Sequence, residues 1–172
     1  RRHLNSYTDE NGNTPYYDGT DKFDTYTDAY VYFVTHALRF LDEGGRLGFI
    51  IPSKWMDVEY GFPFQQFLYD NTKIHAVVSF SARAFESALV DTSLLLIEKC
   101  SDESERNDNI LDFIHVKKKT PPQDLVSTIE YDREIPDESP YFFNSRSGYR
   151  VLSRHQGDLA DKGTGKLGYN LT

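Results

Sequence analysis

Apolar residues along this chain change period several times, and each change marks an element. Residues 1–25 hold few of them: the segment is rich in Asn, Thr, Asp and Gly, carries the turn signal Asn11-Gly12-Asn13, and reads as a long polar loop. From there the apolar positions fall at Tyr30, Phe33, Val34, Ala37, Leu38 and Leu41, the i, i+3, i+4, i+7 stripe of an amphipathic helix. Thr27 or Asp28 is placed to cap its first turn by accepting backbone N–H bonds, and Gly44-Gly45 to close it with a left-handed turn. Leu47–Ile51 is wholly apolar and stopped by Pro52, which predicts a strand buried on both faces of a sheet. Helical spacing returns within Gly61–Asp70, where Phe64, Phe67 and Leu68 share a face and Pro63 suits a first turn.

Ile74–Phe80 and Thr92–Glu98, rich in Val, Ile and Leu, predict two further strands. The Ser81–Asp91 connection between them is too long for a tight hairpin turn, and loops of such length are often functional. The pair is expected to lie antiparallel, with strand 47–51 beside one of them. Ser101–Asn109 reads as a charged surface connection, Ile110–Val116 as one more strand running into Lys117-Lys118-Lys119, and Gln123–Ile129 as a short helix. Beyond Tyr131 the patterning fades, and Pro136, Pro140 and the glycines of 163–168 suggest a linker or the entry to another domain. Helix–strand–helix–strand–strand is part of an α/β layered fold, and three core strands with helices on them make a small mixed sheet.

Composition narrows the class without naming it. At 172 residues, 38% hydrophobic and 15% aromatic, the chain has material for one real core. No stretch approaches the ~20 apolar residues that span a bilayer, and no basic-then-apolar leader opens the chain, which begins on Arg1-Arg2-His3 as a cut piece would. The single cysteine, Cys100, permits no internal disulfide and suits a reducing cytoplasm. A net charge of −8 does not itself point to nucleic acid, although an acidic domain can serve a DNA enzyme whose other segments neutralise phosphate.

Read in order, four features resemble the gamma class of adenine-specific (N6) DNA methyltransferases, as found in restriction–modification enzymes. Asp28-Ala29-Tyr30 is similar to that family's Asp-Leu-Tyr helix opening, with Ala where Leu is usual. Gly44-Gly45-Arg46-Leu47-Gly48-Phe49-Ile50-Ile51-Pro52 looks like its glycine turn and fifth strand, and Ser53-Lys54-Trp55 follows as its Pro-Asn/Ser-x-Trp. Phe85 sits in the loop before Val90-Asp91-Thr92, where the family places an aromatic against the flipped base. The likeness covers roughly residues 26–99, with a weaker echo to about 130. It implies a partial Rossmann-like methyltransferase sheet: residues 1–25 a polar loop, 26–130 the distal half of the catalytic domain, and 131–172 a linker toward a target-recognition region.

The resemblance also implies a chemistry. The family moves a methyl group from S-adenosylmethionine to the exocyclic amine of adenine in double-stranded DNA. That nitrogen is a weak nucleophile because its lone pair is delocalised into the ring. The base leaves the duplex to be reached, and stacking on an aromatic face, worth ~1–3 kcal/mol per base, offsets part of the unstacking cost. On this reading Phe85 is the stacking face, while Asp28, Tyr30, Pro52 and Trp55 border the active site.

Two expected parts are not found in the sequence. No strand followed by a glycine-bearing turn precedes residue 26, so the cofactor pocket and the family's Asn-Pro-Pro-Tyr motif are expected upstream, and this chain is expected to bind S-adenosylmethionine weakly or not at all. Gly163-Thr164-Gly165-Lys166-Leu167-Gly168 is a literal GxGxxG without the strand and helix that give the motif meaning. Asn13-Thr14-Pro15-Tyr16 imitates the catalytic tetrapeptide but follows a polar stretch, not a buried strand. The five dispersed histidines form no ligand pair, and Ser79, Ser81 and Ser87 near His75 show no nucleophile elbow. Asp57, Glu59 and Asp70 lack a nuclease spacing and read as solvated charges, and a solvated strand end likewise explains Lys117-Lys118-Lys119 better than phosphate binding.

The competing reading is a non-catalytic α/β scaffold or interaction module. Surface tells the two apart: a partial sheet leaves an unpaired edge prone to self-association, whereas an evolved module covers it.

Overall fold

The computed structural model describes residues 27–80, 91–117, 142–145 and 148–159, together with 121, 123, 124, 126 and 127. Helix α1 (Ala29–Arg39) leads through a turn to strand β1 (Arg46–Pro52), and two short 3-10 turns, Ser53–Met56 and Glu59–Gly61, carry the chain into helix α2 (Phe62–Asn71). Strands β2 (Thr72–Phe80) and β3 (Thr92–Lys99) follow, then a one-and-a-half-turn helix α3 (Glu103–Asp108) and strand β4 (Ile110–Val116). Strands β5 (Phe142–Ser145) and β6 (Tyr149–His155) complete one sheet in the order β1-β3-β2-β4-β6-β5.

Strand direction organises everything that follows. β3 lies antiparallel to both β1 and β2, while β2 and β4 are parallel. β1, β2 and β4 therefore run the same way, and their carboxyl ends, Pro52, Phe80 and Val116, share one edge of the sheet. Because side chains alternate along a strand, the sheet has two apolar faces. One packs Leu95, Ile97, Leu111 and Phe113 against α1 and α2 through Val34, Leu38, Phe64 and Leu68. The other gathers Ala76, Val78, Ile114, Val116, Tyr149 and Val151.

The expected antiparallel pair of strands is present, with 47–51 beside the second of them, and Phe64, Phe67 and Leu68 are all buried on α2 as their spacing predicts. Other expectations are corrected. The buried face of α1 is Val31, Val34, Thr35 and Leu38, with Tyr32 beside it, and Phe33 is 63% exposed. Asp28 occupies the N-cap position but makes no side-chain cap bond; its carbonyl accepts from the Val31 N–H. The helix also stops before the glycines, with Phe40 as its C-cap. Gly44 (φ 77°) instead turns the chain into β1, donating its N–H to the Lys99 carbonyl while Lys99 donates back to Gly45.

β1 is not buried on both faces. Among the described residues it has β3 on one side and no strand on the other, so only Ile51 is fully buried and Ile50 is 55% exposed. Ser101–Asn109 contains α3, whose first turn is capped by the Asp102 carboxylate accepting from the Glu105 N–H at 2.9 Å. Regular structure also continues past 131, because β5 and β6 extend the sheet to His155.

Candidate functional site

Ligands of open α/β sheets bind outside the carboxyl ends of the strands, so the shared edge at Pro52, Phe80 and Val116 is where a site is sought. Several segments singled out in the sequence converge there. The chain leaves β1 at Pro52, and the Ser53 N–H donates to the Asp91 carbonyl at 2.9 Å, tying the exit of β1 to the end of the 81–91 connection. That connection starts where β2 ends, at Phe80. Its residues 81–90, Phe85 among them, lie outside the described residues, as do Asn13–Tyr16 and the glycines of 163–168. Helix α1 enters β1 through a turn held beside Lys99 at the opposite edge, and Asp28 and Tyr30, at its other end, are half-buried.

Trp55 supports this edge from beneath. It is 0% exposed, stacks edge-on against Phe64 with ring centroids 5.5 Å apart, and donates its indole N–H to Ser93 Oγ at 3.3 Å. The buried Gln65 side chain donates to the Trp55 and Met56 carbonyls at 2.9 and 3.2 Å, closing the turn after β1. Trp55 thus fixes the course of 52–56 and presents no face to a ligand. Half-buried Pro52 aligns with Thr92 on β3, so it marks the rim of the same edge.

A polar row runs beside Trp55 along the helix-covered face of this edge. Ser93 on β3 lies next to Ser79 on β2, Ser79 next to His115 on β4, and His115 next to Arg150 on β6. Ser79 Oγ and His115 Nδ1 are hydrogen-bonded at 2.9 Å, and both residues are half-buried. Sequence reading placed Ser79 near His75; the fold gives it His115, 36 residues away. No local pattern announces such a pair, because only the parallel register of β2 and β4 creates it.

The opposite edge has a different character. Glu98 on β3 accepts from Arg46 Nε at 2.9 Å, lies 3.2 Å from His75 Nε2 and 3.8 Å from Lys73 Nζ, and Lys73 also pairs with Glu105. Burial draws the Glu98 carboxyl up, but hydrogen bonds from Arg46 and His75, with their positive charge, hold it below the ordinary carboxylate value. Arg46, Leu47, Gly48, His75, Leu96, Ile97 and Val126 line a 450 Å³ cavity at this edge, away from Pro52 and Phe80. Its cations are largely spent on carboxylates. Among the described residues no three His, Cys, Asp or Glu side chains are placed to hold a metal ion, and no helix is long and apolar enough to cross a membrane.

Known proteins resemble both the sequence and the fold. Residues 4–85 match the model of the Eco57I restriction-modification methylase family. The chain is 28% identical over 130 residues to the type II methyltransferase M.AccI of Acinetobacter calcoaceticus, covering 74% of this chain and 22% of the relative. It is 33% identical over 91 residues to the type II restriction enzyme and methyltransferase RM.Eco57I of Escherichia coli, covering 52% of this chain and 8% of the relative. The type IIG restriction endonuclease BpuSI superposes on 92% of this chain with a TM-score of 0.58 at 16% identity, using 17% of its own length. The chain therefore spans less than a quarter of each of these proteins.

Proposed function

We propose that this chain, whose residues 4–85 match the Eco57I restriction-modification methylase family, is the base-side part of a restriction–modification DNA methyltransferase. In the whole protein, a methyl group passes from S-adenosylmethionine to the N6 amine of an adenine turned out of double-stranded DNA. The observation that carries the reading is the Ser53–Asp91 backbone bond. It holds Asp91 against the exit of β1, so the two described ends of the connection that contains Phe85, at Phe80 and Asp91, lie at the carboxyl edge. On this reading Phe85 serves as a face for the displaced base, with Asp28, Tyr30 and Pro52 at the rim and Trp55 as the buried support. The segment after residue 131 leads toward a target-recognition region. No step of methyl transfer belongs to this chain alone, and S-adenosylmethionine is held chiefly by residues upstream.

The scaffold reading is less well supported. Among the described residues the free side of β1 carries exposed Ile50, and α1 shows exposed Phe33 and Phe40, the last at 77%. Large apolar side chains beside an unpaired strand suit a sheet that continues in the whole protein, and in isolation they favour self-association.

The test has two arms. The residues encoded upstream are expected to contain a glycine-bearing cofactor turn and Asn-Pro-Pro-Tyr, and the protein including them is expected to transfer tritiated methyl to adenine-containing duplex. The 172-residue chain alone is expected to show no saturable S-adenosylmethionine binding at micromolar concentrations and to sediment as a concentration-dependent oligomer. Upstream sequence lacking both motifs would sink the methyltransferase reading. A strictly monomeric chain would favour the module, and tight cofactor binding would contradict the division of labour.

A further inference from the structure

The buried residues of β3 are Ser93, Leu95 and Ile97, and of these only Ser93 is polar. It is 0% exposed, and a hydroxyl buried there costs free energy unless it is hydrogen-bonded. Ser93 Oγ accepts from the Trp55 indole N–H at 3.3 Å and donates to the Ile51 carbonyl at 3.5 Å. Both bonds are long, so they add little stability beyond what an apolar residue would bring. What they share is direction: each ties the start of β3 to the end of β1 or to the turn after it. Two residues earlier the Asp91 carbonyl accepts from the Ser53 N–H at 2.9 Å, a second tie between the same two segments. On its other side Ser93 stands opposite Ser79 of β2. The 81–91 connection therefore leaves β2 and enters β3 on adjacent antiparallel strands, and its return is clamped to the Trp55 turn.

We propose that Ser93 is a positioning residue for the displaced base, fixing through Trp55 where the connection that contains Phe85 enters β3. The proposal rests on the methyltransferase reading, which supplies the base. Ser93 acts through its neighbours and touches neither base nor cofactor. Trp55 is the fixed point, because Phe64 packs edge-on against it and Gln65 binds its carbonyl from α2. A stacking face is worth about 5- to 150-fold in holding a base outside the duplex. Part of that is lost when the face is displaced, and none of it concerns S-adenosylmethionine.

The test compares methyl transfer by the protein that includes the upstream residues on two duplexes, one with the target adenine paired and one with it mismatched. A mismatch lowers the cost of turning the base out, so a fault in holding the base shows most on the paired duplex. Ser93→Ala is expected to lower kcat/KM about 5- to 20-fold on the paired duplex and no more than about twofold on the mismatched one. The KM for S-adenosylmethionine is expected to stay unchanged. Trp55→Phe removes the same bond from the other side, so adding Ser93→Ala to it is expected to cost less than about twofold more. Ser153→Ala removes a buried serine bond to Asp112 at 2.6 Å elsewhere in the sheet and is expected to act equally on both duplexes. In the 172-residue chain, Ser93→Ala is expected to speed amide exchange at Ser53 several-fold and to shift the indole N–H resonance of Trp55, the sole tryptophan. Ser93→Thr keeps the hydroxyl and is expected to restore both.

Equal losses on the two duplexes, or no loss in Ser93→Ala, overturn the proposal, as does the same discrimination in Ser153→Ala. Unchanged Ser53 exchange in Ser93→Ala overturns it as well, because the start of β3 is then held without the hydroxyl. Methyl transfer by the longer protein that is insensitive to Ser93 removes only this inference. If the longer protein transfers no methyl group to either duplex, the methyltransferase reading falls and the base-positioning role falls with it.

Discussion

Trp55→Ala is expected to lower the unfolding free energy by about 3–5 kcal/mol, the usual cost of deleting a fully buried large aromatic side chain. For a domain of this size that corresponds to a fall in Tm of roughly 6–20 °C. The site offers little room to relax, because Phe64 lies edge-on to the indole and Gln65 binds the Trp55 and Met56 carbonyls from the next helix. Gly61 closes it from the other side: a Cβ there would stand 2.0 Å from the Trp55 carbonyl oxygen, a backbone atom that cannot swing away. Trp55→Phe is expected to cost less, since much of the apolar contact survives while Ser93 Oγ loses the indole donor. Urea titrations followed by far-ultraviolet circular dichroism check the order parent, Phe, Ala. A loss below about 1 kcal/mol for Trp55→Ala, the range of ordinary surface substitutions, would show that the indole is not the support of the carboxyl edge.

The same residue shows how much of the site was legible. A lone tryptophan after an apolar run and a proline is visible in sequence, and the family likeness drew it toward an active site. What sequence could not show is the depth at which it sits, because that depends on Phe64 and Gln65 from α2 and Ser93 from β3. Strands β2, β3 and β4 and helix α2 were readable for a simple reason: each buries a face whose residues are apolar in the period of its own backbone. On α1, apolar residues occur on more than one side. Counting them selected Phe33, whereas packing selected Val31 and Thr35, the latter made acceptable in the core by donating its hydroxyl to the Tyr32 carbonyl at 3.0 Å. α3 had a readable signal in Asp102-Glu103-Ser104-Glu105, a capping-box spacing, which its heavy charge obscured.

The Ser79–His115 pair and the edge position of β1 depend on strand order, which local periodicity does not contain. Leu47–Ile51 reads as a strand buried on both faces of a sheet, and its composition suits that environment. Its exposure here is a mismatch between a sequence built for a sheet interior and a strand with one neighbour among the described residues. That mismatch would be relieved by a further strand beside β1 outside the described residues.

The largest polar effect is expected from Gln156→Leu, at a residue no motif points to. Gln156 is 0% exposed and follows β6, yet its side chain spans to the start of β2, more than 80 residues away in sequence. Oε1 accepts from the Ile74 N–H at 2.8 Å and from Asn109 Nδ2 at 3.0 Å, and Nε2 donates to the Thr72 carbonyl at 2.7 Å. These bonds satisfy backbone groups just before the register of β2 against β3 shifts, between Ile74 and Ala76. Leu fills the volume but pairs none of them. Asn109 Nδ2 keeps a bond to the Ile74 carbonyl at 2.9 Å, so the Ile74 N–H and the Thr72 carbonyl are the groups left bare. At about 1–3 kcal/mol each, their loss predicts about 2–6 kcal/mol in all. Gln156→Glu keeps the acceptor but loses the donor and buries a charge, so it does not rescue.

The effect is expected to be directional along β2, which distinguishes it from a general loss of packing. Amide exchange should quicken first at Ile74, whose N–H loses its acceptor, and then through Ala76–Phe80, because that stretch takes its register from the bulge. A one-residue slip there would turn Ser79 from the helix-covered face to the other and release the pair with His115. Gln156→Leu is therefore expected to disturb the His115 ring signals from the far end of β2. Faster exchange confined to 149–159, with β2 and His115 unchanged, would show that Gln156 merely closes its own turn.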